Sequence, residues 1–146
     1  AGALVLGPGD GALVGAVMGT VAVPGRPFTI PGPLPPVDGG VYTFQTPDRT
    51  YLDAVRVCWR STVEALRGIV DRPDRFVPYA VTAAQLAEVG AVAGLPASSV
   101  LDRHGCLGAA GIPVALHELG LGGTISVAAV GGGVGCVGLA WRSGTV

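Results

Sequence analysis

Val100-Leu-Asp-Arg-His-Gly-Cys-Leu-Gly-Ala-Ala-Gly-Ile-Pro-Val-Ala-Leu116 is the stretch that decides the fold. Its polar opening and glycines predict a turn over 104–108. Small and aliphatic residues follow, and they predict a helix over 109–119 thin enough to be buried tightly. Cys106 lies in the turn just ahead of that helix. A helix N-terminus there can activate the thiol as a nucleophile; a small buried thiol in a tight turn is the other reading.

Apolar strands are expected downstream over 124–130 and 134–141, flanking Gly131-Gly-Gly133. Upstream, 75–79 reads as a short strand and its exit, and 82–93 as a helix with Thr82 as N-cap and Gly94 as stop. The clearest helix is 50–70. Leu52, Val55, Trp59, Val63, Leu66 and Val70 recur there at spacings of three and four, with Arg56, Arg60, Glu64 and Arg67 off the stripe. Asp48 or Thr50 is its expected cap. Residues 24–49 carry Pro24, Pro27, Pro31, Pro33, Pro35 and Pro36 and form a Pro/Gly-rich loop insertion. Two further strands, 3–6 and 12–23, flank the turn Gly7-Pro-Gly-Asp-Gly11. The order ββ–loop–α–β–α–α–ββ implies one α/β domain over 1–146, with helices packed on a largely parallel sheet.

Of the 146 residues, 49% are hydrophobic and only 13% charged, with a mean hydropathy of +0.57. Ordinary soluble domains carry about 25% charged residues. A surface so poor in charge implies a large permanent interface. It does not imply a membrane span, because no apolar window of about 18 residues escapes Gly, Pro or charge. The net charge of −1 comes without a basic stripe, which argues against nucleic-acid binding. Cys58, Cys106 and Cys136 show neither CxxC nor CxxH spacing, so neither a zinc site nor a disulfide framework is expected. An odd cysteine count without a signal peptide fits a reducing cytoplasm. Because Ala1-Gly-Ala-Leu-Val-Leu6 opens inside a strand-like run, either an initiator Met has been removed or the chain is a fragment or processed half of a longer protein.

Four segments together resemble the C-terminal half of thiolase-superfamily condensing enzymes of the ketoacyl synthase III type. Residues 100–116 resemble the family's D-R-x-G-N-T-S-A-A-S-x-P-x-A-L turn and buried helix. Ala1 to Leu6 resembles the end of G-D-G-A-G-A-x-V-L. Phe76-Val-Pro-Tyr79 resembles F-x-P-H-Q-A-N, and Ala129-Val-Gly-Gly-Gly-Val134 resembles A-F-G-G-G-F. Pro36-Val-Asp-Gly-Gly40 with Tyr51 is also similar to the hydroxymethylglutaryl-CoA synthase branch. The resemblance implies a βαβαβαββ half of a thiolase-like fold.

In such enzymes the nucleophilic Cys belongs to the N-terminal half. The C-terminal half supplies a His, an Asn and an oxyanion-hole Gly. By position, Tyr79 takes the place of the His, Cys106 that of the Asn, and Gly132 that of the Gly. The resemblance thus implies an acyltransferase or condensing enzyme using CoA or carrier-protein thioesters as substrates, with no resident cofactor or metal. The implied partners are an N-terminal half on another chain, a larger homo- or hetero-oligomer and an acyl carrier protein. Replacement of the His and Asn leaves a non-catalytic scaffold subunit as the alternative. Tyr79 either donates a hydrogen bond to a thioester carbonyl or fills the vacated His space; with an ordinary pKa near 10 it is a poor base. His104 and His117 read as structural or surface residues, and Cys58 and Cys136 as buried ones. Gly131-Gly-Gly133 reads as a close-packed turn, since no phosphate-loop pattern follows it.

Overall fold

The computed structural model describes residues 11–22, 49–120, 122–131 and 134–143. The strand expected over 3–6, the insertion over 24–48 and Gly132 lie outside these residues. Strand β1 (Ala12–Thr20) is followed by helix α1 (Arg49–Ile69), strand β2 (Arg75–Pro78) and helix α2 (Ala83–Ala93). A short helix α3 (Leu101–His104), a 3-10 turn (Gly108–Ala110) and helix α4 (Gly111–Leu119) lead to strands β3 (Thr124–Val130) and β4 (Gly135–Arg142).

Local chemistry sets the boundaries. Thr82 has extended backbone, and its hydroxyl accepts from the Gln85 N–H. The Gln85 side chain in turn accepts from the Val81 N–H, which closes the start of α2. Gly94 ends α2 in the left-handed conformation (φ 62°), as its position in the sequence predicts. Asp74 accepts from the Thr124 N–H and Arg75 donates to the Gly120 carbonyl, fixing the entry to β3.

The sheet order is β1-β4-β3-β2. β2 and β3 run parallel, but β4 is antiparallel to both β3 and β1. The sheet is therefore mixed, not largely parallel. The Gly-rich link between β3 and β4 is too short for a crossover and forces a hairpin. The third strand of the expected βαβαβαββ order is reduced to a single parallel bridge, Phe76 to Ala97. Leu101–His104 form α3, so the turn expected over 104–108 begins inside a short helix.

One face of the sheet is covered by α1 and α2. Trp59, Val63, Leu66, Val89 and Ala93 close on Phe76, Ala128 and Ala140. The buried side of α1 is rotated from the expected stripe: Ala54, Cys58 and Thr62 point inward, while Leu52 is exposed. α4 covers the opposite face, with Ala115 and Leu116 on Val77, Ile125 and Val127. Among the described residues, that face is only half covered. The register pairs Met18 with Val137 and Leu13 with Trp141, and puts Val137 and Trp141 on the same side as Val127 and Ile125. There Met18 is 87%, Leu13 67% and Val137 38% exposed.

Cys58 on α1 and Cys136 on β4, 78 residues apart, form a buried disulfide with their Cα atoms 6.1 Å apart, within bridging range. This corrects the sequence expectation of no disulfide. The pairing arises from α1 lying across β4, which no local cysteine spacing signals. No helix among the described residues is long and apolar enough to cross a membrane.

Candidate active site

Tyr79 leaves the end of β2 with its N–H donated to the Ala128 carbonyl (2.8 Å), which extends the ladder to β3 by one residue. The phenol is half-buried against the start of α4. Cys106, an exposed free thiol, sits between α3 and the 3-10 turn. The fold brings the two together across 27 residues of sequence, with Tyr79 Oη 3.9 Å from Cys106 Sγ. Gly105 and Gly108 both have positive φ (68° and 56°), and they let the chain fold back so that Cys106 reaches the tyrosine. Burial first, and then the hydrogen bond with Cys106, push the Tyr79 pKa above its ordinary value. At neutral pH the phenol is a donor and not a base.

The α3 end of this turn is tied to α4 through Glu118. Its Oε1 meets His104 Nε2 at 2.6 Å, and its Oε2 meets Arg103 Nη2 at 2.5 Å. His104 is thus a structural anchor of the Cys106 turn, and Glu118 is a participant that the sequence reading missed. His117 is exposed on the outer side of α4.

Gly132 lies outside the described residues, but its hairpin is closed on both sides. Gly131 N–H donates to the Gly135 carbonyl (2.8 Å) and Val134 N–H to the Gly131 carbonyl (2.9 Å). Val134, fully buried, is held at φ 53°. A left-handed β-branched residue costs of order 1–3 kcal/mol and persists only where its surroundings enforce it. Here those surroundings are Ala54 and the Cys58–Cys136 disulfide.

Tyr79 also lines a groove of about 660 Å³ between α1 and α2, a volume typical of small-molecule sites. Leu52, Val55 and Trp59 form one wall, Val89 and Val92 the other, and Val130 contributes from the sheet. Arg56 spans the two helices to Glu88 (2.7 Å) and is also held by Asp53 (2.9 Å). No cluster of His, Cys, Asp or Glu able to hold a metal occurs among the described residues.

Solved structures of ketoacyl synthases share this fold. The 3-oxoacyl-(acyl carrier protein) synthase III of Pseudomonas aeruginosa PAO1 matches with a TM-score of 0.73 and 20% identity, over 92% of this chain and 45% of that one. The β-ketoacyl-(acyl carrier protein) synthase III of Thermus thermophilus matches at 0.70 and 21% identity, over 92% and 47%. AbyA1, a tetronic acid condensing enzyme, matches at 0.67 and 20% identity, over 96% and 51%. At these identities the likeness is one of fold, and the chain spans about half the length of the solved structures it matches. No family model and no curated protein matches the sequence.

Proposed function

We propose that the chain is the C-terminal half of a ketoacyl synthase III-like acyltransferase or condensing enzyme acting on CoA or carrier-protein thioesters. A separate N-terminal half carrying the nucleophilic Cys completes it. The observation that carries this reading is the half-covered sheet face beside α4. Met18, Leu13 and Val137 leave an apolar surface open next to the helix that supports the Cys106 turn, and an isolated soluble domain does not ordinarily leave such a face in water. The half-length match to the synthases supports the same reading.

In the assembled enzyme the partner's thiolate attacks the thioester carbonyl, and the CoA or carrier thiolate leaves. Tyr79, kept protonated by burial, donates to the developing oxyanion together with the Gly132 amide. Acyl transfer to a small-molecule acceptor suits this site better than decarboxylative condensation, which leans on the His and Asn replaced here by Tyr79 and Cys106. The setting we propose is the cytoplasm of an organism that uses the product in secondary metabolism.

A second reading is a non-catalytic scaffold subunit that shapes a partner's acyl pocket. The weak 3.9 Å contact between Tyr79 and Cys106, in place of a strong acid–base pair, favours it. Kinetics of Tyr79→Phe and Cys106→Ala in the assembled protein separate the two. A loss of roughly tenfold or more from Tyr79→Phe supports direct participation, on the scale of one hydrogen bond made in the transition state. Turnover within a few-fold in both variants means that the chain only shapes the site.

A further inference from the structure

Burial fixes the segment that carries Cys106 only at its start. Val100 is in the core, but residues 102–107 are all exposed. Helix α3 is four residues long, buries no side chain and has no side-chain hydrogen bond from its N-cap Val100. The Ser99 hydroxyl accepts from the Leu101 N–H, the His104 N–H donates to the Val100 carbonyl and the Gly105 N–H to the Leu101 carbonyl. One helical turn of this kind does not hold its shape in water unaided. Beyond it, Gly105 and Gly108 at positive φ set the course of the chain on either side of Cys106, but they do not tie it to anything.

The tie comes from α4. Ala115 and Leu116 bury that helix on the sheet, so Glu118, one turn on from Ala115, stands on a fixed support. Both of its oxygens are used on α3: Oε1 for His104 Nε2 and Oε2 for Arg103 Nη2. A single exposed ion pair contributes little. Here one carboxylate, with its side chain 22% exposed, joins two cationic or hydrogen-bonding partners in a network, the arrangement in which such contacts do hold.

We infer that Glu118 is a positioning residue for the proposed site: it clamps the Cys106 turn against Tyr79 and so sets the direction in which the Tyr79 hydroxyl is presented to substrate. The link runs from Glu118 through Arg103 and His104 to Cys106, whose Sγ lies 3.9 Å from Tyr79 Oη. With the turn released, the phenol keeps its burial but loses its standing partner. The inference rests on the proposed function for its bearing on catalysis, but not for the clamp itself.

The test begins on the full chain with Glu118→Ala and is read by amide hydrogen exchange. Exchange at His104 and Gly105 should quicken about tenfold, the scale of a charge-assisted hydrogen bond, while Val127 in β3 stays unchanged. Arg103→Ala, at an exposed residue, serves as the second variant should Glu118→Ala fail to fold, and should quicken the same amides. Because Arg103 acts through Glu118, the double variant should exchange no faster than Glu118→Ala. The late ionisation of Tyr79, taken at 295 nm as the difference from Tyr79→Phe, should move down in Glu118→Ala but stay above the ordinary value, since burial remains its first cause. Unchanged exchange at His104 and Gly105, an equal rise at Val127, additive effects in the double variant or an unmoved tyrosine titration would each overturn the clamp.

The catalytic arm uses the chain assembled with the N-terminal half. There Glu118→Ala should lower kcat about as far as Tyr79→Phe does and leave KM for the acyl donor within a few-fold. A loosened turn with kcat unchanged overturns the positioning role. Failure of the enzyme reading looks different: the clamp behaves as described on the chain alone, yet the assembled wild-type protein transfers no acyl group.

Discussion

Substitution of Gly138 by Ala tests whether α1, which forms one wall of the groove and holds the buried Cys58, lies on the sheet as described. A Cβ at this position would stand 2.8 Å from Leu66 Cδ1, 2.9 Å from Leu66 Cγ and 2.9 Å from Val17 Cγ2. Carbon atoms pack best at about 3.5–4.0 Å, so α1 must lift or Leu66 must leave its rotamer. Overpacking of this kind costs about 1–3 kcal/mol. Removing a strand glycine returns roughly 0.5–1 kcal/mol of chain entropy. The expected net loss is therefore about 1–2 kcal/mol. With a urea m-value of about 2 kcal/mol/M, the midpoint should fall by about 0.5–1 M with the slope unchanged.

Leu66→Ala alone should cost about 2–5 kcal/mol for its buried side chain. It also deletes two of the three clashing atoms. The double variant should therefore be more stable than the sum of the singles predicts by about 1 kcal/mol. Equilibrium urea unfolding followed by far-UV circular dichroism measures all three. An unchanged midpoint for Gly138→Ala, or strict additivity in the double variant, would refute the placement of α1.

Native alkylation with iodoacetamide should place one adduct per chain, on Cys106, with Cys58 and Cys136 modified only after reduction and unfolding; a native adduct on Cys58 contradicts its burial. Loss of the 78-residue disulfide loop should cost up to about 4 kcal/mol relative to the oxidised chain, read as a lower thermal midpoint in Cys58→Ala under oxidising conditions. Because burial and the Cys106 hydrogen bond raise the Tyr79 pKa, the folded chain binds this proton longer than the unfolded one. Its contribution to stability is then complete below pH 10 and is lost as pH climbs through the raised value. A 295 nm absorbance titration should accordingly lose a late-ionising tyrosine in Tyr79→Phe, and an unchanged titration contradicts the assigned environment. Met18→Asp should leave the isolated chain's stability within about 0.5 kcal/mol, because the site is exposed. It should nevertheless weaken assembly with the N-terminal half by at least about a hundredfold, since a carboxylate enters an apolar interface.

Much of this was legible in the sequence wherever the signal is local. The periodicity of α1, the Thr82 and Gly94 boundaries of α2 and the strand β3 all follow from residue pattern and capping chemistry. Tyr79 and Cys106 were singled out by the resemblance alone, and it is the fold that places their side chains 3.9 Å apart. What the sequence hid depends on long-range packing. The disulfide needs α1 laid across β4, 78 residues away. The inward rotation of Ala54, Cys58 and Thr62 follows from the close approach that Gly138 permits, and it turns Leu52 and Val55 toward the groove. Glu118 reads as an ordinary helix carboxylate until α3 brings Arg103 and His104 against it. The antiparallel course of β4 was in principle readable from the short glycine link that precedes it.

The central claim is that this chain works as one half of a two-part thiolase-like enzyme. Native mass spectrometry of the protein purified from its own source, with intact-mass identification of every chain, tests it most directly. The account predicts that the 14.5 kDa chain elutes in a complex with a thiolase-like N-terminal half carrying a reactive cysteine that accepts an acyl group from acyl-CoA. A lone, folded 14.5 kDa species, stable in solution with its Met18 face open, would contradict it.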